Sequence, residues 1–297
     1  MKIDTFKNKF VNNIFINQKL AKYTWFGVGG NAEILYIPEE EISLEKFLKN
    51  KPNNYKVFTI GAGSNLLIRD NGINGITIIT KKLNRISIDT DGIITANCGA
   101  IDAEVARFAR DHNRTGLEFL IGIPGTIGGG IKMNSGAFGT EFKDVLIDVK
   151  AINHDGKYKI FSNKDLKMKY REIDLKNEWI FLSARFKTSL STNESIKNKM
   201  KKIIQSRKIA QPTGVKTGGS TFKNPLGKKS WQLIDQAGCR GLKNGAAMIS
   251  EKHCNFIVNL ENSTARQIEE LGELVKQKVF ETSGVELSWE IERVGNK

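Results

Sequence analysis

The 297-residue chain is 39% hydrophobic and 26% charged, ordinary globular material that, at about 100–200 residues per domain, predicts two or three domains. A formal charge of +14 and a pI near 9.6 attract anionic partners, but do not choose among nucleic acid, a membrane surface and a nucleotide-sugar diphosphate. Cys98, Cys239 and Cys254 show neither CxxC spacing nor an even count, against a disulfide framework and against a zinc site, so no metal is expected.

The opening MKIDTFKNKFVNNIF lacks the apolar core of a signal peptide, and nowhere do 18 apolar residues run together; the sequence predicts a soluble, cytoplasmic protein with no membrane partner. GVGGNA at Gly27 to Ala32 matches GxGxxG/A, yet EILYI after it alternates like a strand and opens no helix, so the Rossmann context fails. Val57 to Ile60 reads as a strand entering the glycine loop GAGSN at Gly61 to Asn65, and Ile76 to Thr80 as a further strand. Leu66 stands where a third glycine would complete the dinucleotide fingerprint. Next come a strand from Ile93 to Cys98 and a helix with Ile101, Val105 and Ala109 four residues apart.

Between Gly122 and Gly139, seven of 18 residues are glycine, a density that helix and strand interiors tolerate only for a reason. Trp179 to Lys187 predicts a strand. Lys197 to Lys208 carries its charges on a helix whose apolar side is Ile196, Met200, Ile203 and Ile204, the commonplace solvated face of an amphipathic helix. QPTG at Gln211 to Gly214 reads as a turn. Thr264 and Gln267 form a capping box ahead of Ile268, Leu271, Val275 and Val279, with Gly284 as the stop.

Glycine loops carry chemistry because bare backbone lets several N–H groups converge on phosphate oxygens. Taken alone, Gly61 and Gly63 could be a tight turn; beside the Gly122 to Gly139 tract they predict two loops gripping one long dinucleotide between subdomains without a Rossmann helix. No GxxxxGK[ST] is present, which leaves a phosphotransferase of the P-loop kind unsupported.

The runs YTWFGVGGNAE, GAGSNLL, IGIPGTIGGGIKMNSGAFG, YREIDL, GGSTFKNP, LIDQAGCRGL and LSWEIERVG, in that order from about residue 20 to residue 296, resemble the UDP-N-acetylenolpyruvoylglucosamine reductase family. The resemblance implies an α+β fold: two FAD-binding subdomains of the vanillyl-alcohol-oxidase type, residues 1–80 and 81–200, then an α+β substrate domain, residues 201–297. It implies noncovalent FAD, lined by Gly27, Gly29 and Gly30, by Gly61, Ala62, Gly63, Ser64 and Asn65, and by Gly122, Pro124, Gly125, Gly128, Gly129, Asn134 and Gly136. It further implies ping-pong turnover, with hydride passing from NADPH to flavin N5 and then to the enolpyruvyl carbon of a UDP-amino sugar.

By their motifs Arg171, Ser220 and Glu290 match the family's catalytic residues. The assignment is chemically coherent: hydride arrival leaves an enolate that Arg171 and Glu290 would stabilise, and so basic a carbon can be protonated by a neutral hydroxyl, that of Ser220. Taken singly, a surface arginine, a turn serine and a solvent-facing strand glutamate would be the plainer readings; the motif context reverses that preference. Lys208, Lys223, Asn224 and Arg240 are candidates for holding the substrate's anionic groups, against generic basic surface. His253 and Cys254, read as neighbours on a strand, would face opposite ways and share no metal. The stretch between Arg171 and Ser220 has no room for the tyrosine loop of longer relatives, which implies the shorter class. Glu292 and Arg240 depart from the usual residues. Two rival readings remain, an oxygen-consuming flavin oxidase of the same fold and a nucleic-acid binder; for the latter no recognisable module exists and no aromatics interleave with the basic run.

Overall fold

A computed structural model describes residues 13–175 and 178–297; residues 1–12, most of the stretch in which a signal peptide was sought, lie outside the described residues. The chain forms two compact units. The first takes the chain up to Ile16 with Ile34–Ala62 and Gly75–Arg207, and the second takes Asn17–Glu33, Gly63–Asn74 and Lys208–Lys297.

In the first unit, the strands Ile14–Lys19, Asn31–Tyr36, Ile73–Ile79 and Val57–Ile60 form one sheet in that order, the last two parallel with Val57 opposite Ile76. The first three continue along the chain into the second unit. A second sheet is antiparallel, in the order Tyr158–Ser162, Leu146–Asn153, Trp179–Phe186, Ile94–Asn97, Ile86–Ile88. Its inward side chains, among them Val149, Ala151, Leu182, Ala184 and Ile94, join Val105, Ala106 and Ala109 of the helix Asp102–Asp111 in one core. This is the alternation that half-buried strands and 3.6-residue periodicity produce.

Helix Asn193–Ala210 buries Ile196, Met200 and Ile203, while Ile204 is half exposed; Ile196 and Met200 pack into that same core. The boundary expected near residue 200 and the passage between the two units, after Arg207, both fall inside this helix.

The second unit has its own core around Phe26, Phe222, Ile257, Leu271 and Val275. Its antiparallel sheet runs Lys216–Ser220, Phe256–Asn259, Ala247–Ile249, Lys243–Asn244. Leu66–Ile68 pairs in parallel with Glu292–Val294. Helix Ala265–Ser283 begins on the expected capping box, the Thr264 hydroxyl accepting from the Gln267 N–H at 3.1 Å, and Asp70 accepts from the N–H groups of Ala265 and Arg266 at 3.0 Å each. Gly284 closes it at φ +67°, the left-handed conformation that glycine adopts without steric cost. Among the described residues no helix is long and apolar enough to cross a membrane, and no three His, Cys, Asp or Glu side chains cluster as a metal site requires.

Candidate active site

The glycine tract contains a helix, Ile127–Lys132, where the composition argued against one. Its glycines are demanded by close packing: a Cβ on Gly128 would stand 2.9 Å from that of Cys98, and one on Gly130 would collide with the Phe142 ring. Main-chain bonds Asp102 N to Gly125 O (3.2 Å), Ile127 N to Ala100 O (3.0 Å) and Gly128 N to Cys98 O (2.8 Å) tie the tract to the start of helix Asp102–Asp111. Gly61 faces Thr126, whose hydroxyl occupies the space a Cβ would need. That hydroxyl is buried and without a hydrogen-bond partner. An orphaned donor beside bare backbone of both glycine loops fits an acceptor-rich group such as a diphosphate.

Asp102 is fully buried, neither carboxyl oxygen has a partner, and a Cβ on Gly125 would lie 2.7 Å from one of them. Burial alone raises its pKa well above the ordinary carboxylate range. Sequence inspection gave no reason to single it out, since Asp at the first turn of a helix is commonplace.

Arg171 sits at φ +57°, a conformation that non-glycine residues adopt at a cost of about 1–3 kcal/mol when the surroundings enforce it. Here they do. Its guanidinium lies against the carbonyls of Asn134 and Gly136 at 3.5 and 3.4 Å, and over the Tyr170 ring at 5.0 Å. Asn134, fully buried, donates to Glu141 and to the Lys169 carbonyl at 3.0 Å each and accepts from the Lys143 N–H at 3.0 Å. The YRE turn and the far end of the glycine tract are thus one substructure of the first unit.

In the second unit, four of the sequence-predicted segments meet. The Trp25 N–H donates to Gly63 O at 3.0 Å, joining the YTWFGVGG run to the GAGSN loop, and Gly63 (φ +66°) lies against the Tyr23 carbonyl, leaving no space for a side chain. Asn65 Nδ2 donates to Glu290 O at 3.1 Å, and Glu292 N to Asn65 O at 3.0 Å. Glu290 N donates in turn to Thr221 O at 2.8 Å, beside an isolated bridge between Phe222 and Trp289. Ser220 and Glu290 therefore stand on hydrogen-bonded neighbouring segments, both half-buried, and the Ser220 hydroxyl makes no hydrogen bond inside the described protein. Trp289 fixes the Glu290 segment on helix Ala265–Ser283: its indole N–H donates to Glu273 at 2.8 Å, and a Cβ on Gly272 would collide with its ring.

The four candidates for substrate contact occupy different settings. Arg240 donates to both Asp235 oxygens, at 2.9 and 2.8 Å. Asn224 accepts from Ser230 N at 3.0 Å, Lys223 N donates to Ser288 O at 2.9 Å, and the Lys208 carbonyl accepts from Lys252 Nζ at 2.6 Å. Lys216, which sequence reading passed over, lays its side chain along Gly27. His253 and Cys254 do not lie on a strand but in the turn before Phe256–Asn259, because the His253 carbonyl accepts from Phe256 N at 3.0 Å. His253 is flanked by Phe256 and Trp231 with ring centroids at 4.9 and 6.3 Å, and burial lowers its pKa.

Bare backbone at Gly61 beside the orphaned Thr126 hydroxyl suits a dinucleotide such as FAD, the mark of the flavin-binding oxidoreductase class. Residues 32–162 match the model of an FAD binding domain, and residues 211–294 that of the C-terminal domain of UDP-N-acetylenolpyruvoylglucosamine reductase. The UDP-N-acetylenolpyruvoylglucosamine reductase of Rickettsia bellii (strain RML369-C) is 46% identical over 93% of this chain and 92% of its own length, and that of Orientia tsutsugamushi (strain Ikeda) is 47% identical over 95% and 94%. The crystal structure of the reductase from Thermus caldophilus superposes with a TM-score of 0.81 at 32% identity, covering 94% of this chain and 97% of that one. The chain belongs to the UDP-N-acetylenolpyruvoylglucosamine reductase family, an enzyme family with FAD as cofactor, and the expected α+β fold of FAD-binding and C-terminal substrate regions is the one it has.

Proposed function

We propose that the protein takes hydride from NADPH and reduces the enolpyruvyl ether of UDP-N-acetylglucosamine to the lactyl ether of UDP-N-acetylmuramate, in the cytoplasm. FAD, when bound, supplies the two-electron chemistry between NADPH and the enolpyruvyl β-carbon. In the first unit Gly61, Gly128, Gly129 and the Thr126 hydroxyl would hold it; in the second, Gly63, Ser64 and Asn65.

The chain's own residues handle charge and proton. Hydride at the β-carbon moves the C=C electron pair to the α-carbon and its carboxylate, and Ser220 Oγ gives its proton to the α-carbon, recovering one from solvent. Glu290 and Arg171 stabilise the enolate, with Arg171 preset by its enforced backbone. Lys208, Lys223, Asn224 and Arg240 are assigned to the sugar nucleotide's anionic groups. The observation that carries this reading is the pairing of the Ser220 and Glu290 segments through Thr221, with a serine hydroxyl left unengaged.

Ser220→Ala tests it. Flavin reduction by NADPH should stay within about twofold of wild type, while flavin reoxidation by the sugar slows by a factor on the order of 10² or more, the usual size of a general-acid contribution. Equal losses in both half-reactions would remove Ser220 from the role.

A further inference from the structure

The strand that carries Ser220 loses its regular register just where the serine stands. Lys216 and Thr217 pair with Asn259 and Val258, but Ser220 pairs with Phe256, so the ladder bulges between Thr217 and Ser220. Past the bulge, main-chain bonds tie Thr221 to Asn255 and Glu290 and Lys223 to Ser288, but none of these bonds uses the N–H or carbonyl of Phe222.

A side chain serves those two groups. Asn255, 5% exposed, accepts from the Phe222 N–H through Oδ1 at 3.0 Å and donates to the Phe222 carbonyl through Nδ2 at 2.8 Å. Its own carbonyl accepts from Thr221 N at 2.8 Å, and the Thr221 carbonyl is the acceptor for Glu290 N. One amide thereby satisfies both main-chain groups of a buried residue, as a neighbouring strand would, and beside it two main-chain bonds run from Asn255 through Thr221 to Glu290. Phe222 is 1% exposed, so water could not replace the amide there.

We infer that Asn255 is a positioning residue for proton transfer, its amide fixing where the Ser220 hydroxyl stands relative to the Glu290 segment. The inference rests on the reading of Ser220 as proton donor. Asn255 touches neither the hydroxyl nor, through its side chain, Glu290; its amide acts through the N–H and carbonyl of Phe222, the residue after Thr221. Both roles of the amide are needed: an aspartate would keep an acceptor for the Phe222 N–H while turning a second oxygen toward the Phe222 carbonyl.

The test compares both half-reactions of the FAD-loaded full chain by rapid mixing. Asn255→Ala should leave flavin reduction by NADPH within about twofold of wild type and slow reoxidation by the enolpyruvyl sugar at least tenfold, through the maximal rate and not the half-saturating sugar concentration. In the Ser220→Ala background it should add less than about twofold, since the proton donor it places is gone. Equal slowing of both half-reactions, a loss confined to sugar affinity, or full additivity with Ser220→Ala would each overturn the proposal, marking Asn255 as a residue of general structure. If Asn255→Ala fails to fold, Asn255→Asp, nearly identical in size, is subject to the same three readouts. If Ser220→Ala itself leaves reoxidation untouched, the catalytic reading and this inference fall together; if Ser220→Ala is slow and the Asn255 variants are not, only the inference falls.

Discussion

Asp102→Asn isolates a fully buried carboxyl that has no hydrogen-bond partner among the described residues. Asp102 has no solvent exposure and no hydrogen bond to either oxygen, and burial raises its pKa well above the ordinary 3.8. The folded protein therefore holds the proton over a range where the unfolded chain has released it. For a raised carboxyl the stabilising contribution is complete below the unfolded pKa and is lost as pH rises toward the folded one. Within that window each pH unit costs about 1.4 kcal/mol. Asparagine has nearly the same shape and no titration, so the variant should lack this slope while keeping the static cost of an unpaired buried amide, about 1–3 kcal/mol. Urea unfolding of wild type and variant at pH 4.5 and 5.5 measures the difference, since every other titration is common to both. The stability gap should shift in the variant's favour by about 1.4 kcal/mol over that unit. Parallel pH dependence would refute the assignment of Asp102 as a buried neutral acid.

Gly128→Val places branched carbons against Cys98 and should lower the flavin absorbance of purified protein to a small fraction of wild type, read from the visible spectrum; unchanged occupancy would count against the glycine cradle. Glu269 is held below its ordinary pKa by the Arg69 guanidinium, bonded at 2.9 Å twice, with Arg293 beside it at 3.2 Å. Glu269→Gln should thus cost about 1–3 kcal/mol at pH 7 in urea unfolding. Because a depressed carboxyl stabilises above its unfolded pKa and loses that as pH falls through the folded one, the penalty should vanish in acid. Thr264→Ala removes the capping hydroxyl of helix Ala265–Ser283 and should cost about 1 kcal/mol by the same measurement.

Much of the local structure was legible because it is set by neighbours in sequence. The strand Val57–Ile60 has the expected bounds, the strand Trp179–Phe186 differs from expectation by one residue, and the Thr264–Gln267 capping box starts its helix where the pattern placed it. What was misread depends on partners remote in sequence. The helix Ile127–Lys132 runs against glycine's propensity because Cys98 and Phe142 leave no space for side chains. His253 and Cys254 leave the strand because a local turn captures the His253 carbonyl. Apolar spacing identified the helix Asn193–Ala210 but not which core its apolar side joins. At the candidate site, motif glycines and the serine and glutamate could be named from sequence, whereas Thr126, Asp102 and Asn255 could not: a threonine, an aspartate and an asparagine gain meaning only from burial and from which of their polar atoms are paired.

Flavin-dependent reduction of an enolpyruvyl sugar nucleotide can be followed through NADPH absorbance over the purified protein, with and without UDP-N-acetylglucosamine enolpyruvyl ether. The expected result is a yellow protein that oxidises NADPH steadily only when that sugar is present, one NADPH per lactyl ether formed. A colourless protein, or NADPH oxidation that depends on oxygen and is indifferent to the sugar, would contradict it.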